Sequence, residues 1–520
     1  MMRKLLSVFV FLIGVYTISA QVKTIENMVK FGVQNSGAFL DEANDVDGYY
    51  FFYQVDKLKK GMREYAINIL DKNLNDIALK KIVASKKTSL VAKAFNNEAI
   101  MFAFFNKKDR ALTLKSFDKK ANPREDITVA IEKKQARIID MAIKAGGLST
   151  MLHPVRNEGF ILITSNYEGK GTGYTINFYP SNESGKPWEY KFVPTKKRGH
   201  HSVTPIALND KFIVLVDVKT KNMSTKKEFK TIVLNSKTGE VFFTKAYDEN
   251  DPKLISNAFI SDDGKISVMG QYYEPKAKLA KAQSLGLFVN EYSEKGTVEF
   301  SKKIAWKGDV SKFLPVKDNN KLKDIGYIFF HDIIKTQSGE YYAIGEQFKK
   351  TVSALGVAMG ILNRGAQTGG YTQLTIKDVY IFKFDKEFNL LAVKTFEKGK
   401  SRVQNLVDFG SPQFNAYQVA AIGGFDYIYS QVDVKRDRFY ANFIDYERSK
   451  KEKGKKKKKS RFVFKTIIQD GGELSEDVIE ISKKSKNYRV LPAKVGYVLL
   501  LEYDKKAKSS TLHLEKLNIK

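Results

Sequence analysis

Residues 71 to 82 read DKNLNDIALKKI, and residues 385 to 396 read DKEFNLLAVKTF. In each copy Asp opens a tight turn, because its short carboxylate satisfies nearby backbone N–H groups. A run of strand-forming residues precedes each turn, EYAINIL in the first copy and DVYIFKF in the second, and another follows it. Two hairpins of one pattern so far apart in the chain predict a repeated module.

Eight short runs that are apolar almost without interruption extend the pattern: YYFFYQV from Tyr49, AIMFAFF from Ala99, GFILITS from Gly159, KFIVLVDV from Lys211, KISVMGQYY from Lys265, EYYAIGEQF from Glu340, FDYIYSQV from Phe425 and YVLLLEY from Tyr497. They are too short for typical helices and rich in β-branched and aromatic residues. A strand exposed on one face alternates in polarity, so unbroken runs predict strands buried on both faces. Most runs follow a polar turn such as SDDGK, QSGE or LNDK. Each is followed by a polar loop and a second strand, for example ALTLKSF, FKTIVLN, RFVFKTII or TLHLEKL, and in many repeats by a tight turn and a third. Strands such as HHSVTPIAL and IGYIFFHDII precede the runs.

Four antiparallel strands per module, at spacings that match the roughly 40 to 50 residues of propeller repeats plus insertions, predict an all-β fold. The expected architecture is one β-propeller over residues 21–520, of eight blades in preference to seven. A seven-bladed ring with one displaced hairpin and two smaller tandem β-domains are the alternatives, the latter weakened by the lack of a linker. The last module stops after TLHLEKLNI, and MVKFGVQ, residues 28–34, is the strand expected to close the ring.

The chain opens MMRKLLSVFVFLIGVYTISAQ, with Arg3 and Lys4 before an apolar run and Ser19-Ala20 before Gln21. This pattern is a secretory signal peptide over residues 1–20, and the run is shorter than the roughly 20 residues of a membrane span. Export to the periplasm, the outer-membrane surface or the exterior is expected, with no transmembrane segment in the mature chain. The chain has no Cys, so lipoprotein acylation, disulfides, thiolate metal ligands and Cys nucleophiles are excluded. Lys and Arg number 88 against 58 Asp and Glu, a net charge of +30, or +28 without Arg3 and Lys4. That excess predicts attraction to anionic glycan, an anionic membrane surface or an acidic envelope protein.

The signal ending in Ala20-Gln21, the D-K-x-[LF]-N turn and the segment SGEYYAIG, residues 338–345, resemble uncharacterised exported proteins of Bacteroidota-type bacteria that carry a propeller-like domain of unknown function. The resemblance covers nearly all of the mature chain and implies fold and export, but no catalytic residues.

The five histidines are His153, His200, His201, His331 and His513. His200 and His201 are adjacent, and neighbours on a strand face opposite sides, so they cannot share a metal there. No P-loop, G-x-S-x-G or H-E-x-x-H pattern occurs, and DDGK at residues 262–265 lacks the spaced carboxylates of a calcium loop. No catalytic residue, metal or cofactor is therefore expected.

Two inserts are the site candidates. The first, residues 349–373, contains Val352, Leu355, Val357, Met359, Ile361 and Leu362, an uncharged segment expected to form a short helix against the ring or a partner. The second, residues 434–462, is read as a loop that carries Lys455, Lys456, Lys457, Lys458 and Lys459, a candidate anion-binding run. It lacks the interleaved aromatics of a single-stranded nucleic-acid platform, and export also speaks against nucleic acid. With DKLKKG, NKKDR, EPKAKLAKAQ and DKKAKS, it should make one rim basic. The expected function is a binding or interaction module. An envelope enzyme acting on an anionic glycan and a structural subunit of an outer-membrane-associated complex are the alternatives.

Overall fold

In the strand Val46–Lys57, Tyr49, Phe51 and Tyr53 enter one hydrophobic cluster, while Tyr50 and Phe52 enter the next. Successive strand side chains point to opposite faces, so a strand between two cores needs apolar residues at every position. The same parity recurs in Phe212–Lys221, where Phe212, Val214 and Val216 face one cluster and Ile213 and Leu215 the other. The computed structural model describes residues 21–518 apart from 42–44, 145–150, 168–170, 195–198, 222–226, 248, 262, 354–370, 406–407, 409, 449–459 and 481–486. Residues 1–20, expected to be a signal peptide, lie outside the described residues.

Eight antiparallel sheets follow one another in chain order. Their first strands are Ser36–Leu40, Thr88–Phe95, Leu152–Val155, Gly199–Leu208, Lys253–Ile260, Tyr327–Lys335, Tyr427–Asp433 and Tyr488–Pro492. First strands touch those of neighbouring blades: Lys253–Ile260 contacts both Gly199–Leu208 and Tyr327–Lys335, and Tyr488–Pro492 contacts both Tyr427–Asp433 and Ser36–Leu40. They therefore ring the axis. Fourth strands such as Asp76–Ser85 are largely exposed. Eight hydrophobic clusters fill the eight spaces between adjacent blades. The protein is an eight-bladed propeller.

The ring closes through its N-terminal strand, but not through MVKFGVQ. Gln21–Ile25 completes blade 8 by pairing with Ser509–Lys516, with Gln21 opposite Leu514 and Ile25 opposite Ser510. Of its five side chains only Ile25 is buried, as suits an outermost strand. Met28 and Phe31 are apolar because they fill the core between blades 8 and 1 as the chain crosses over it.

Blade 7 departs from the expected assignment. FDYIYSQV supplies its first strand, and the second is Arg438–Arg448, inside the segment expected to be loop, followed by Ser460–Asp470 and Glu473–Glu480. Charges around Arg438 disguise a strand whose centre, Phe439 to Phe443, carries four fully buried apolar residues. In blade 6 the strands Tyr341–Val352 and Thr372–Phe384 pair as far as Val352 opposite Thr372, so the expected insert is shorter than residues 349–373. Ser401–Gln404 adds a fifth strand beside Thr372–Phe384.

The repeated turn has one geometry. Asp71 accepts from the backbone N–H groups of Asn73 and Asn75, both at 2.8 Å, and from the Asn75 side chain. Asp385 does the same with Glu387 and Asn389. A third copy, Asp118 to Asn122, occupies the same place in blade 2. The fourth residue, Leu74, Ala121 or Phe388, adopts positive φ and is buried.

Among the described residues two helices lie in links between blades: α1 (Lys133–Lys144) between blades 2 and 3, and α2 (Pro412–Ala421) between blades 6 and 7. Ser411 caps α2 by accepting from Phe414 N at 3.1 Å, with Pro412 in the first turn. Ala416 and Val419 pack on Phe348, Leu374 and Ile376 of blade 6, while Gln413 hydrogen-bonds Ser284 of blade 5.

Candidate functional site

The links between blades and the connections from second to third strands leave the sheets at one end, the upper rim. DKLKKG, NKKDR, EPKAKLAKAQ and DKKAKS all lie on it. A cleft of about 200 Å³ opens there between blades 1 and 2. The crossing segment forms one wall, with Lys30 held by backbone hydrogen bonds to Gln54. Arg63 and Tyr65 of the third strand of blade 1 form another, and Thr88 and Ser89 of blade 2 close the far side.

The charged groups lining this cleft, Lys30 and Arg63, are both cationic, and neither has an acidic partner among the described residues. Many lysines elsewhere on the surface are paired, as in Lys81–Glu64 at 3.1 Å, Lys107–Asp140 at 2.9 Å and Lys119–Asp47 at 2.9 Å. Tyr65 is half-buried and stacks on Phe52 with centroids 5.2 Å apart and an interplanar angle of 12°. Free cations beside a backed aromatic ring can take an anionic group attached to a flat or ring-shaped body.

A second polar centre is sealed between blades 6 and 7. Lys398 has a fully buried side chain and contacts both Glu346, at 3.1 Å, and Asp426. His331 Nε2 lies 3.1 Å from Glu346, and its ring stacks on Tyr427 at 4.8 Å. Ser401 donates to Asp426 at 2.6 Å, and Tyr427 N donates to Glu346 at 2.9 Å. Gly399 permits this closeness, since a Cβ there would stand 2.0 Å from the Tyr446 carbonyl oxygen. Burial alone would lower the Lys398 pKa, but Glu346 and Asp426 raise it above the usual lysine range. Burial pushes Glu346 up, yet Lys398 and His331 hold it below its ordinary value. Asp426 stays raised by burial and by the neighbouring Glu346. A cavity beside this centre, of about 10 Å³ and lined by Phe329, Phe330 and α2 residues, holds at most about one water. These two carboxylates converge, but they are ion-paired and closed to a substrate.

A third centre lies in blade 4. Asp217, 1% exposed, meets His201 Nδ1 at 3.0 Å from the first strand and Lys230 at 3.3 Å from the third. His200 instead contacts Thr172 at 3.1 Å, so the two histidines do diverge. Among the described residues no three His, Asp or Glu gather in a metal-binding group, and no helix is long and apolar enough to cross a membrane.

Of the residues marked in the sequence, Val352 ends a strand on the upper rim and is 71% exposed. Leu355, Val357, Met359, Ile361 and Leu362 lie outside the described residues, as do Lys455, Lys456, Lys457, Lys458 and Lys459. The strands flanking that lysine run, Arg438–Arg448 and Ser460–Asp470, end on the same rim. Lys30 and Arg63 were not legible as a site, because each is an ordinary rim charge until the crossing segment is placed beside blade 1.

Fold and surface together define an eight-bladed propeller with a basic, cleft-bearing rim. The chain belongs to the family of unknown function DUF6770, whose sequence model matches residues 1–518. No curated protein matches it. Among solved structures it is similar to the quinohemoprotein alcohol dehydrogenase of Comamonas testosteroni, at 9% identity over 95% of this chain and 76% of that one, with a TM-score of 0.41. The β-propeller domain of the Trilobed protease from Pyrococcus furiosus is similar at 12% identity over 82% of this chain and 93% of that domain, TM-score 0.34. Prolyl oligopeptidase B from Galerina marginata is similar at 9% identity and a TM-score of 0.35, over 94% of this chain and 56% of its own length.

Proposed function

We propose that this protein is an exported binding module whose basic upper rim takes an anionic envelope polymer, with a uronic or sulfated glycan as the ligand class and the cleft between blades 1 and 2 as its docking point. The observation that carries the reading is the lining of that cleft: Lys30 and Arg63 without acidic partners, beside the ring of Tyr65. The Lys455–Lys459 run adds five positive charges to the chain's excess. Losing one charge-assisted hydrogen bond corresponds to about tenfold or more in affinity. Arg63→Ser should therefore weaken binding of a polyuronate by about that factor, and binding of the unaltered protein should fall steeply with added salt. Equal affinity for the polyuronate and a neutral glucan, or no effect of Arg63→Ser at low salt, would overturn this reading.

Val352 supports a second reading. It is the most exposed large apolar side chain described, and it opens the uncharged insert, which suits docking of an envelope protein. Replacing Leu355 and Ile361 by Asp separates the roles. Loss of a co-purifying partner at unchanged stability supports docking, and loss of stability assigns the insert to the propeller's own packing.

A further inference from the structure

We propose that Arg489, Lys93 and Tyr50, gathered around the inner strand of blade 1, form a binding site for an oxyanion of the phosphate or sulfate class close to the propeller axis. Arg489 reaches in from the first strand of blade 8 and Lys93 from the first strand of blade 2. Both donate to the same oxygen, the carbonyl of Ser36: Arg489 Nη1 at 2.6 Å, with a further bond to Gln34 O at 2.9 Å, and Lys93 Nζ from the other side. The two cations are thus within two hydrogen-bond lengths of each other.

Neither cation meets a carboxylate among the described residues. Buried lysines elsewhere do: Lys398 has Glu346 and Asp426, Lys253 has Asp251, and Lys465 has Asp445 and Glu476. Two like charges this close oppose one another, and burial together with Arg489 holds Lys93 well below the usual lysine range. Burial likewise lowers Arg489. An anion between them removes the repulsion that the protein itself leaves uncompensated.

The donors for such an anion are present. A guanidinium has five N–H donors and an ammonium three. The contacts to Gln34 and Ser36 use only Nη1 of Arg489, and Ser36 takes one bond from Lys93. The remaining nitrogens are open, since neither side chain contributes a sealed, unpartnered nitrogen. Tyr50 supplies a neutral donor. Its residue is 4% exposed, its ring lies 4.8 Å from Lys93 Nζ, and its hydroxyl has no protein partner among the described residues. Burial raises the hydroxyl's pKa far above neutrality, so it keeps its proton. Gly37 makes room for this ring, because a Cβ there would stand 2.4 Å from the Tyr50 hydroxyl oxygen. A planar fork, a point charge and a hydroxyl converging from three strands suit a tetrahedral oxyanion.

The test is isothermal titration of the mature chain with inorganic phosphate and inorganic sulfate at fixed ionic strength, with chloride as the balancing ion. The expected result is saturable binding at one site, weakened about tenfold or more by Arg489→Gln and by Tyr50→Phe. Tyr50→Phe keeps the ring, so that variant remains informative if Arg489→Gln fails to fold. Arg63→Ser should leave this binding unchanged, which keeps the result separate from the fate of the rim cleft. A sugar phosphate binding more tightly than inorganic phosphate would identify the oxyanion as a substituent of a larger ligand, and the reverse order would identify a free ion. Either order supports the site. Absence of saturable binding, or equal binding by the unaltered protein and both variants, would overturn the site.

Discussion

Two lysines sit deep in this propeller under opposite regimes. At the junction of blades 6 and 7, Lys398 lies between Glu346 and Asp426 with its side chain sealed from solvent. Near the axis beside blade 1, Lys93 has a carbonyl oxygen and an aromatic ring for company, and its nearest charge is another cation. The first arrangement is complete without a ligand and ties the link after blade 6 to the start of blade 7. The second leaves charge uncompensated. In a chain with so large a positive excess, the number of lysines says little about where ligands bind. The informative quantity is which cations the fold leaves without carboxylates.

The comparison is sharpest under one substitution made in both places. Lys398→Met strands Glu346 and Asp426 as buried carboxylates without their cation, which should cost about 3 to 5 kcal/mol and appear as a large fall in thermal midpoint. A change under about 1 kcal/mol would show that the sealed centre is not held by its charges. A smaller effect belongs to the turns. The Asn75 side chain and two backbone N–H groups hold Asp71 below its usual range, against the upward push of partial burial. Because the native pKa is depressed, this contribution is complete above the unfolded value of about 3.9 and is lost as pH falls through the native one. After allowance for solvent screening, Asp71→Ala should cost about 1 kcal/mol at neutral pH. Its unfolding free energy should converge on that of the unaltered protein in acid, and a difference that persists unchanged to low pH would contradict the assignment. The smallest effect is expected from Lys93→Met in phosphate-free chloride buffer. It leaves no orphaned charge, and Ser36 O keeps Arg489, so denaturant unfolding should shift by less than about 1 kcal/mol. A loss as large as that for Lys398→Met would erase the distinction between the two centres.

Seven of the eight apolar runs are second strands, which pack on both neighbouring blades along nearly their whole length, and the resulting pattern is local in sequence. The eighth, FDYIYSQV, misleads because Tyr427 stacks on His331 and makes a first strand look like a second. QVKTI gave no strand signal, since an outermost strand with one buried residue resembles any polar segment. The Asp118 turn escaped notice because Ala121 stands where the other copies have Leu or Phe. No helix was expected over α2, although Ser411-Pro412, a cap followed by a first-turn proline, marks its start. The site residues were less legible. A lone cation inside an apolar strand, as in LVAKAF around Lys93, is a usable signal, but Arg489, Tyr50 and Ser36 meet only after the ring has closed.

That closure sets an order of events during synthesis. Gln21–Ile25 is made long before its partner Ser509–Lys516, so this strand has no ladder to join until blade 8 has been synthesised. Blades 1 to 7 can each form from contiguous chain, whereas blade 8 depends on a contact of the highest sequence separation, the slowest kind to make. Until then the core between blades 8 and 1, with Met28 and Phe31 in it, is open to water. A nascent chain therefore passes most of its synthesis as an unclosed arc with one apolar wall exposed, the state in which a chaperone would have something to hold.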